Sequence, residues 1–395
     1  MDGYIYIIFF SVLMILSHIF GIIATKYKIP SVILLISTGI LSKHILEKIG
    51  IFLKIPVSIL QMIGTIGLIL IVLDGALELE VKKEKIDIMK KSFFLSMIAL
   101  ISSSTIIAFI IMSFYKVDYL RAMLYGIPVS VISSAIVIPS IGGISEEKRE
   151  FLIYESAFSD ILGIIMFNFF AYSDLTTLKV IPSFAVSIVS TILIAIVSSL
   201  LLIFILGRTK GNVKVIIILS MLMLLYSIGK FYHLSSLILI LVFGLMINNF
   251  DKIMTVIKPK EKISKFFNTR NTLFALRELT LINSELAFAI RTVFFFMFGY
   301  SFDVLKLLDS KVILIGEIVI IFIYFIRFLS LRIFFKKDIY PEFYVAPRGL
   351  ITVLLFYAIP ERFMIATFNE GILFFIIIIT SLLMMFGLLS DNKKK

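Results

Sequence analysis

The sequence predicts an all-α polytopic membrane protein of about 13 transmembrane helices, and three observations lead there. Of 395 residues, 60% are apolar and 16% charged, against roughly 45–50% and about 25% in soluble domains. The apolar residues gather into runs of roughly 20, the length that crosses a hydrocarbon core at about 1.5 Å per residue. The Lys and Arg side chains fall between these runs, and they fall unevenly.

The runs lie near 4–24, 31–49, 56–77, 92–114, 119–141, 149–171, 181–206, 214–230, 234–250, 281–302, 311–332, 343–360 and 370–390. Only Asp2 is charged before the first run, and no basic segment or small-residue cleavage site flanks it. It therefore reads as a retained span rather than a signal peptide. The second run opens after Ile29-Pro30 and is broken early by Lys43, Glu47 and Lys48. The third ends at Asp74 and Glu78, and the fourth follows Lys90-Lys91. Gly126, Pro128 and Pro139 punctuate the fifth. The sixth starts from a charged end at Glu146–Glu150 and carries further charges inside. The seventh to ninth are almost uniformly apolar. The tenth follows a long basic loop, 251–280, and the eleventh holds Arg327. The twelfth is interrupted at Pro347-Arg348-Gly349, and the thirteenth runs into Ser-Asp-Asn-Lys-Lys-Lys, with no soluble regulatory domain expected after it.

With the N-terminus placed outside and the spans alternating, 25 of the 38 Lys and Arg fall in cytoplasmic segments, 10 outside and three within runs. This is the bias of a cytoplasmic-membrane protein with its C-terminus inside. The net charge of +12 thus belongs to the lipid bilayer as partner, not to nucleic acid. Loop 251–280, with Phe266, Phe267, Leu273, Phe274 and Leu276 among its charges, reads as an amphipathic surface helix on anionic lipid. Cys is absent, and the three His, at 18, 44 and 233, are dispersed. The sequence also lacks Gly-x-Ser-x-Gly. Thiol chemistry, a histidine metal centre and a membrane hydrolase are excluded on these grounds.

A charge at mid-bilayer costs at least ~2.5–3.5 kcal/mol, so charges inside the runs carry the information. The sixth run contains Tyr154-Glu155-Ser156-Ala157-Phe158-Ser159-Asp160. At about 100° per residue, Ser156 and Asp160 share one helix face, and Glu155 and Ser159 the adjoining one. The outcome is a polar stripe with two carboxylates, Asp160 the deeper. Asp74 either faces the inner part of a cavity or lies at the interface one turn from Glu78. Arg291, Arg327 and Arg348 sit within runs ten, eleven and twelve. Arg327 lies in the inner half of its run, where an arginine either snorkels to headgroups or meets a buried partner. Arg348, between Pro347 and Gly349, points to broken helix.

Runs five and twelve carry the prolines. Proline removes backbone hydrogen bonds, and freed backbone groups are tolerated in a membrane only against protein or a wet cavity. The two runs are either kinked or discontinuous. Their offset of seven spans is odd, so corresponding helices would belong to inverted repeats, the arrangement of a transporter site near the midplane.

On these residues the chain resembles the monovalent cation:proton antiporters, nearest to the first branch of bacterial Na⁺/H⁺ antiporters. Glu155-Ser156-Ala157-Phe158-Ser159-Asp160 is similar to that family's Glu-Ser-x-x-Asn-Asp, with Ser159 at the Asn position. Leu73-Asp74-Gly75-Ala76-Leu77 echoes Phe-Glu-Gly-Gly-Leu, Ile29-Pro30-Ser31-Val32 resembles Ile-Pro-x-Val, and Pro347-Arg348-Gly349-Leu350 resembles a Leu-Arg-Gly motif. The resemblance implies that Asp160 binds the cation or the proton, with Ser156 and Ser159 adding oxygen ligands. It implies that Glu155 pairs with Arg327, that Asp74 lines the ion path, and that Ser133 and Ser134 occupy the crossover of span 5. Family members often have Asp-Pro where this chain has Ser134-Ala135. The resemblance also implies a core transport domain from 92–172 and 311–390, a dimerisation domain from 1–80 and 214–302, a linker helix at 181–206, and a homodimer. No cofactor is implied.

A carboxylate holds a proton or a hard monovalent cation, not both at once, and a bound cation favours its charged form. A site opened alternately to each side would then couple Na⁺ or K⁺ to H⁺ in opposite directions. With Ser at position 159 and Glu155 held by Arg327, a single exchanging carboxyl remains, and electroneutral one-for-one exchange follows, proton inward and cation outward. A cation channel or gated K⁺ efflux system on the same fold is the alternative, although the chain carries no selectivity-filter repeat.

Overall fold

The computed structural model describes residues 2–27, 30–50, 57–78, 83–172, 180–208, 214–232, 234, 236–249, 269–335 and 339–392. Among them the regular elements are all helical, with no strand. In chain order the α-helices are α1 (Asp2–Tyr27), α2 (Ser31–Lys48), α3 (Val57–Glu78), α4 (Ile86–Tyr115), α5 (Tyr119–Ser130), α6 (Ser134–Ser140), α7 (Glu146–Tyr172), α8 (Val180–Arg208), α9 (Lys214–Phe231), α10 (Ser236–Asn248), α11 (Thr269–Ser301), α12 (Ser310–Phe334), α13 (Leu350–Tyr357) and α14 (Gly371–Asn392). Seven stretches among the described residues are long and apolar enough to cross a membrane.

Every apolar run meets a helix, but the helices of the fourth and tenth runs start ahead of them and the fifth and twelfth runs are interrupted. The tenth begins at Thr269 rather than near 281. Arg270, Arg277 and Glu278 are good helix formers, so charge there ended the apolar run without ending the helix. Positions 251–268 of the basic loop, including Phe266 and Phe267, lie outside the described residues. In the twelfth run only Leu350–Tyr357 is α-helical. A turn with a cis Tyr340–Pro341 bond and an extended stretch through Pro347 precede it. The fifth run is likewise two helices, α5 and α6, separated at Val131–Ser133.

The chain divides into two compact units. The first comprises Met1–Thr65, Asp87–Phe167 and Ala289–Lys395; the second comprises Ile66–Ile86 and Asn168–Phe288. In the second, α10 packs against α8 and α9, and Gly244 brings α10 close to Leu73 and Ala76 of α3. Leu73, Ala195, Leu202, Ile218 and Phe243 form its buried centre. Outer faces such as Val186, Leu193 and Val197 of α8 remain exposed, as a hydrocarbon-facing helix requires.

In the first unit, α2 and α11 meet almost backbone to backbone. A Cβ on Gly299 would stand 2.3 Å from the Ile36 carbonyl oxygen, and one on Gly39 would stand 2.2 Å from that of Phe296. Neither carbonyl can rotate away without breaking its helix. Gly299→Ala is therefore expected to cost about 1–3 kcal/mol or more by overpacking, read as a lower melting temperature of the detergent-solubilised protein.

Candidate functional site

The site of the first unit is built where the two interrupted spans meet. The extended segments on either side of the breaks touch directly: the Ser133 amide donates to the Pro347 carbonyl at 2.9 Å. Gly349 permits this approach, since a Cβ there would lie 2.6 Å from Ile136 Cδ1 and 2.7 Å from Ser133 Oγ.

Breaking a helix leaves carbonyls without amide partners at one end and amides without carbonyls at the other. Each free end has a side chain waiting. At the C-terminus of α5, Arg348 donates from Nε to the Val129 carbonyl at 2.8 Å and from Nη2 to the Ser130 carbonyl at 3.2 Å. A cation at the negative end of a helix is also favoured by its dipole. Arg348 is itself fixed by donating to the Ala346 carbonyl and by its amide bonding Thr380 Oγ1 at 3.1 Å. Within the break, the Ile132 amide donates to Ser159 Oγ at 2.9 Å. Gly163, one turn along α7, gives room for Val131, whose Cγ2 lies 2.3 Å from where a Cβ would be.

At the start of α6, Asp160 Oδ2 accepts two hydrogen bonds from Ser134, one from its amide at 3.2 Å and one from its hydroxyl. Asp160 is buried, at 6% exposure, and its Oδ1 has no hydrogen-bond partner among the described residues. Ser133 Oγ is likewise buried and unpartnered. A buried carboxyl oxygen without a donor is costly, and a proton or a cation supplies what it lacks.

Glu155 is treated differently. Its carboxylate receives both Nη atoms of Arg327, at 2.8 and 3.1 Å, and both residues are at most 3% exposed. Arg327 also donates to the carbonyls of Glu342 and Phe343, at 2.6–3.1 Å. This bidentate pair holds Arg327 inside the protein, at 3% exposure. The same turn is tied to the base of α7 by Lys148, which bonds the Tyr340 carbonyl and lies 3.3 Å from Glu342 Oε2.

The polar stripe on α7 thus divides its labour. Glu155 turns to α12, Ser159 to the break and Asp160 to α6. Ser156 donates into its own helix, to the Leu152 and Ile153 carbonyls at 2.8 and 3.2 Å. Its lone pairs, not its proton, are what it could offer an ion. Arg291 approaches the Ala135 carbonyl at 3.4 Å. A small cavity is lined by Ser96, Ser103, Ser130, Ser159, Arg327 and Arg348. Asp74 lies in the second unit, where its Oδ1 accepts from Asn283 Nδ2 at 3.2 Å.

Helical among the described residues, with two broken spans meeting beside a buried acid, the chain has the layout of a membrane transporter. Residues 12–390 match the family model described as "Sodium/hydrogen exchanger, transmembrane", and the chain belongs to that family of cation/proton antiporters. The fold is that of the sodium/proton antiporter of Methanocaldococcus jannaschii. The structure of that protein at pH 8 aligns with a TM-score of 0.69 at 19% identity, covering 100% of both chains. A second, from an electron-microscopy map, aligns with a TM-score of 0.68 at 19% identity, covering 100% of this chain and 96% of that one. A search of curated protein sequences finds no match.

Four contributors escaped the sequence reading. Thr380 stood beside Ser381 as a pair of hydroxyls in the middle of the apolar thirteenth run. Lys148 was read only as part of the charged start of run six, Glu342 directly precedes run twelve, and Asn283 lies near the start of run ten. A polar residue inside an apolar run was the available signal for Thr380 and Asn283. Nothing in the sequence announced Glu342, whose carbonyl matters as much as its carboxylate.

Proposed function

We propose that the protein exchanges a monovalent cation, Na⁺ or K⁺, for H⁺ across the cytoplasmic membrane by alternating access, one for one and without net charge movement. The observation that carries this reading is Asp160: buried, held at Oδ2 by Ser134, and left at Oδ1 without a partner among the described residues. Proton and cation compete for that oxygen, and competition at one seat is what couples the two flows. The hydroxyls of Ser133, Ser134, Ser156 and Ser159 are hard oxygen donors suited to an alkali ion. Asp74 serves the ion path. Glu155, neutralised by Arg327, contributes no second exchangeable proton.

Spans 4–6 and 11–13 act in this reading as the moving core, and spans 1–3 and 8–10 as the dimerisation domain, joined by span 7. The N-terminus lies outside and the C-terminus in the cytoplasm. The test is electrical. In proteoliposomes, a potential imposed with a K⁺-free ionophore system is expected to leave the rate of Na⁺-driven pH change unaltered. Marked acceleration by an inside-negative or inside-positive potential would mean that more than one proton moves per cation.

A further inference from the structure

Asp74 has a problem of placement that the fold answers from another helix. It lies four residues before the end of α3, in the last turn, where the helix dipole is negative and a carboxylate is disfavoured. Asn283 of α11, fully buried at 0% exposure, reaches across to it. Its Nδ2 donates to Asp74 Oδ1 at 3.2 Å and to the Leu70 carbonyl at 3.1 Å. Leu70 is the residue one turn before Asp74, so a single amide straddles the turn from which the carboxylate projects. The orientation of the amide is set by its neighbours: reversing it would oppose oxygen to oxygen at both contacts. Asn283 Oδ1 is left buried with no hydrogen-bond partner among the described residues. A buried, half-satisfied amide is costly to keep, and an apolar side chain would fill the same space without that cost.

We propose that Asn283 is a positioning residue for the exchange reaction: its amide fixes the Asp74 carboxylate for a passing monovalent cation. An amide donor orients a carboxylate without adding charge, unlike the guanidinium that Arg327 sets against Glu155. The contact with Asn283 itself therefore adds no countercharge to Asp74. The inference rests on the reading that Asp74 lines the ion path.

The experiment is a double-mutant cycle on the full chain in proteoliposomes, reading KM for Na⁺ and maximal rate separately in Asp74→Asn, Asn283→Leu and the double variant. Asn283→Leu is expected to raise KM about tenfold, the worth of one hydrogen bond to a charged group, with little change in maximal rate. The double variant is expected to match Asp74→Asn alone, because Asn283 acts through Asp74. If Asn283→Leu does not fold, Asn283→Ser, too short to span both acceptors, takes its place in the cycle. Full additivity, or a KM unchanged by the Asn283 variant, overturns the proposal. A KM unchanged by Asp74→Asn overturns instead the reading that Asp74 serves the ion path, and the two failures are distinguished by which single variant is silent.

Discussion

Asp160→Asn is expected to reduce cation-induced proton movement in inverted vesicles to background for Na⁺, K⁺ and Li⁺ alike. The substitution keeps size and shape. One oxygen remains to accept from Ser134, so the start of α6 keeps an acceptor and the protein should insert and melt as the parent does. What disappears is the exchange of a proton for a cation at one atom, because a carboxamide neither releases a proton nor offers a full negative charge. Exchange that persists in this variant would refute the assignment of Asp160 as the shared seat. A loss of melting temperature to match the loss of transport would instead make Asp160 a structural cap for α6. Ser134→Ala separates these further, since it removes one donor to Oδ2 while the Ser134 amide stays in place.

How much of this was legible beforehand follows from the range over which each signal acts. Run lengths and charge asymmetry are local properties, and they placed the helices because the bilayer imposes its own length scale. The stripe on the sixth run was legible for the same reason: helical spacing alone put Glu155, Ser156, Ser159 and Asp160 on adjoining faces. Which partner each residue chose was not, because partners lie up to 172 positions away, as for Glu155 and Arg327. The prolines of runs five and twelve signalled interruption, but not that Ser133 and Pro347 would bond across it. Arg348 is instructive. Sequence identified a charge beside a broken helix; only the fold reveals that the charge serves a different broken helix, closing the end of α5. The start of α11 was misplaced because charge was taken as a helix boundary, whereas charge marks the limit of the apolar run and is compatible with continued helix.

Glu155→Gln is expected to act on stability more than on chemistry. Removing one partner of a buried ion pair leaves the other charge uncompensated, at a cost of about 3–5 kcal/mol. Here the stranded group is the Arg327 guanidinium, at 3% exposure. Its remaining acceptors, the Glu342 and Phe343 carbonyls, are dipoles and cannot replace a charge. The measurement is a melting temperature well below that of the parent, with transport partly retained at low temperature. Replacing both partners by neutral groups of similar volume, Glu155→Gln with Arg327→Met, should recover part of the loss, because no charge is then stranded. An unchanged melting temperature with transport abolished would give Glu155 a direct part in exchange and would remove the basis for one proton per cation. The position of Arg327 explains why the loss should not stay local. Its guanidinium holds the turn at 342–343, that turn leads into Pro347, and Pro347 accepts from Ser133 in the other break. Loosening the pair therefore loosens the crossing on which the Ser134 donors to Asp160 depend.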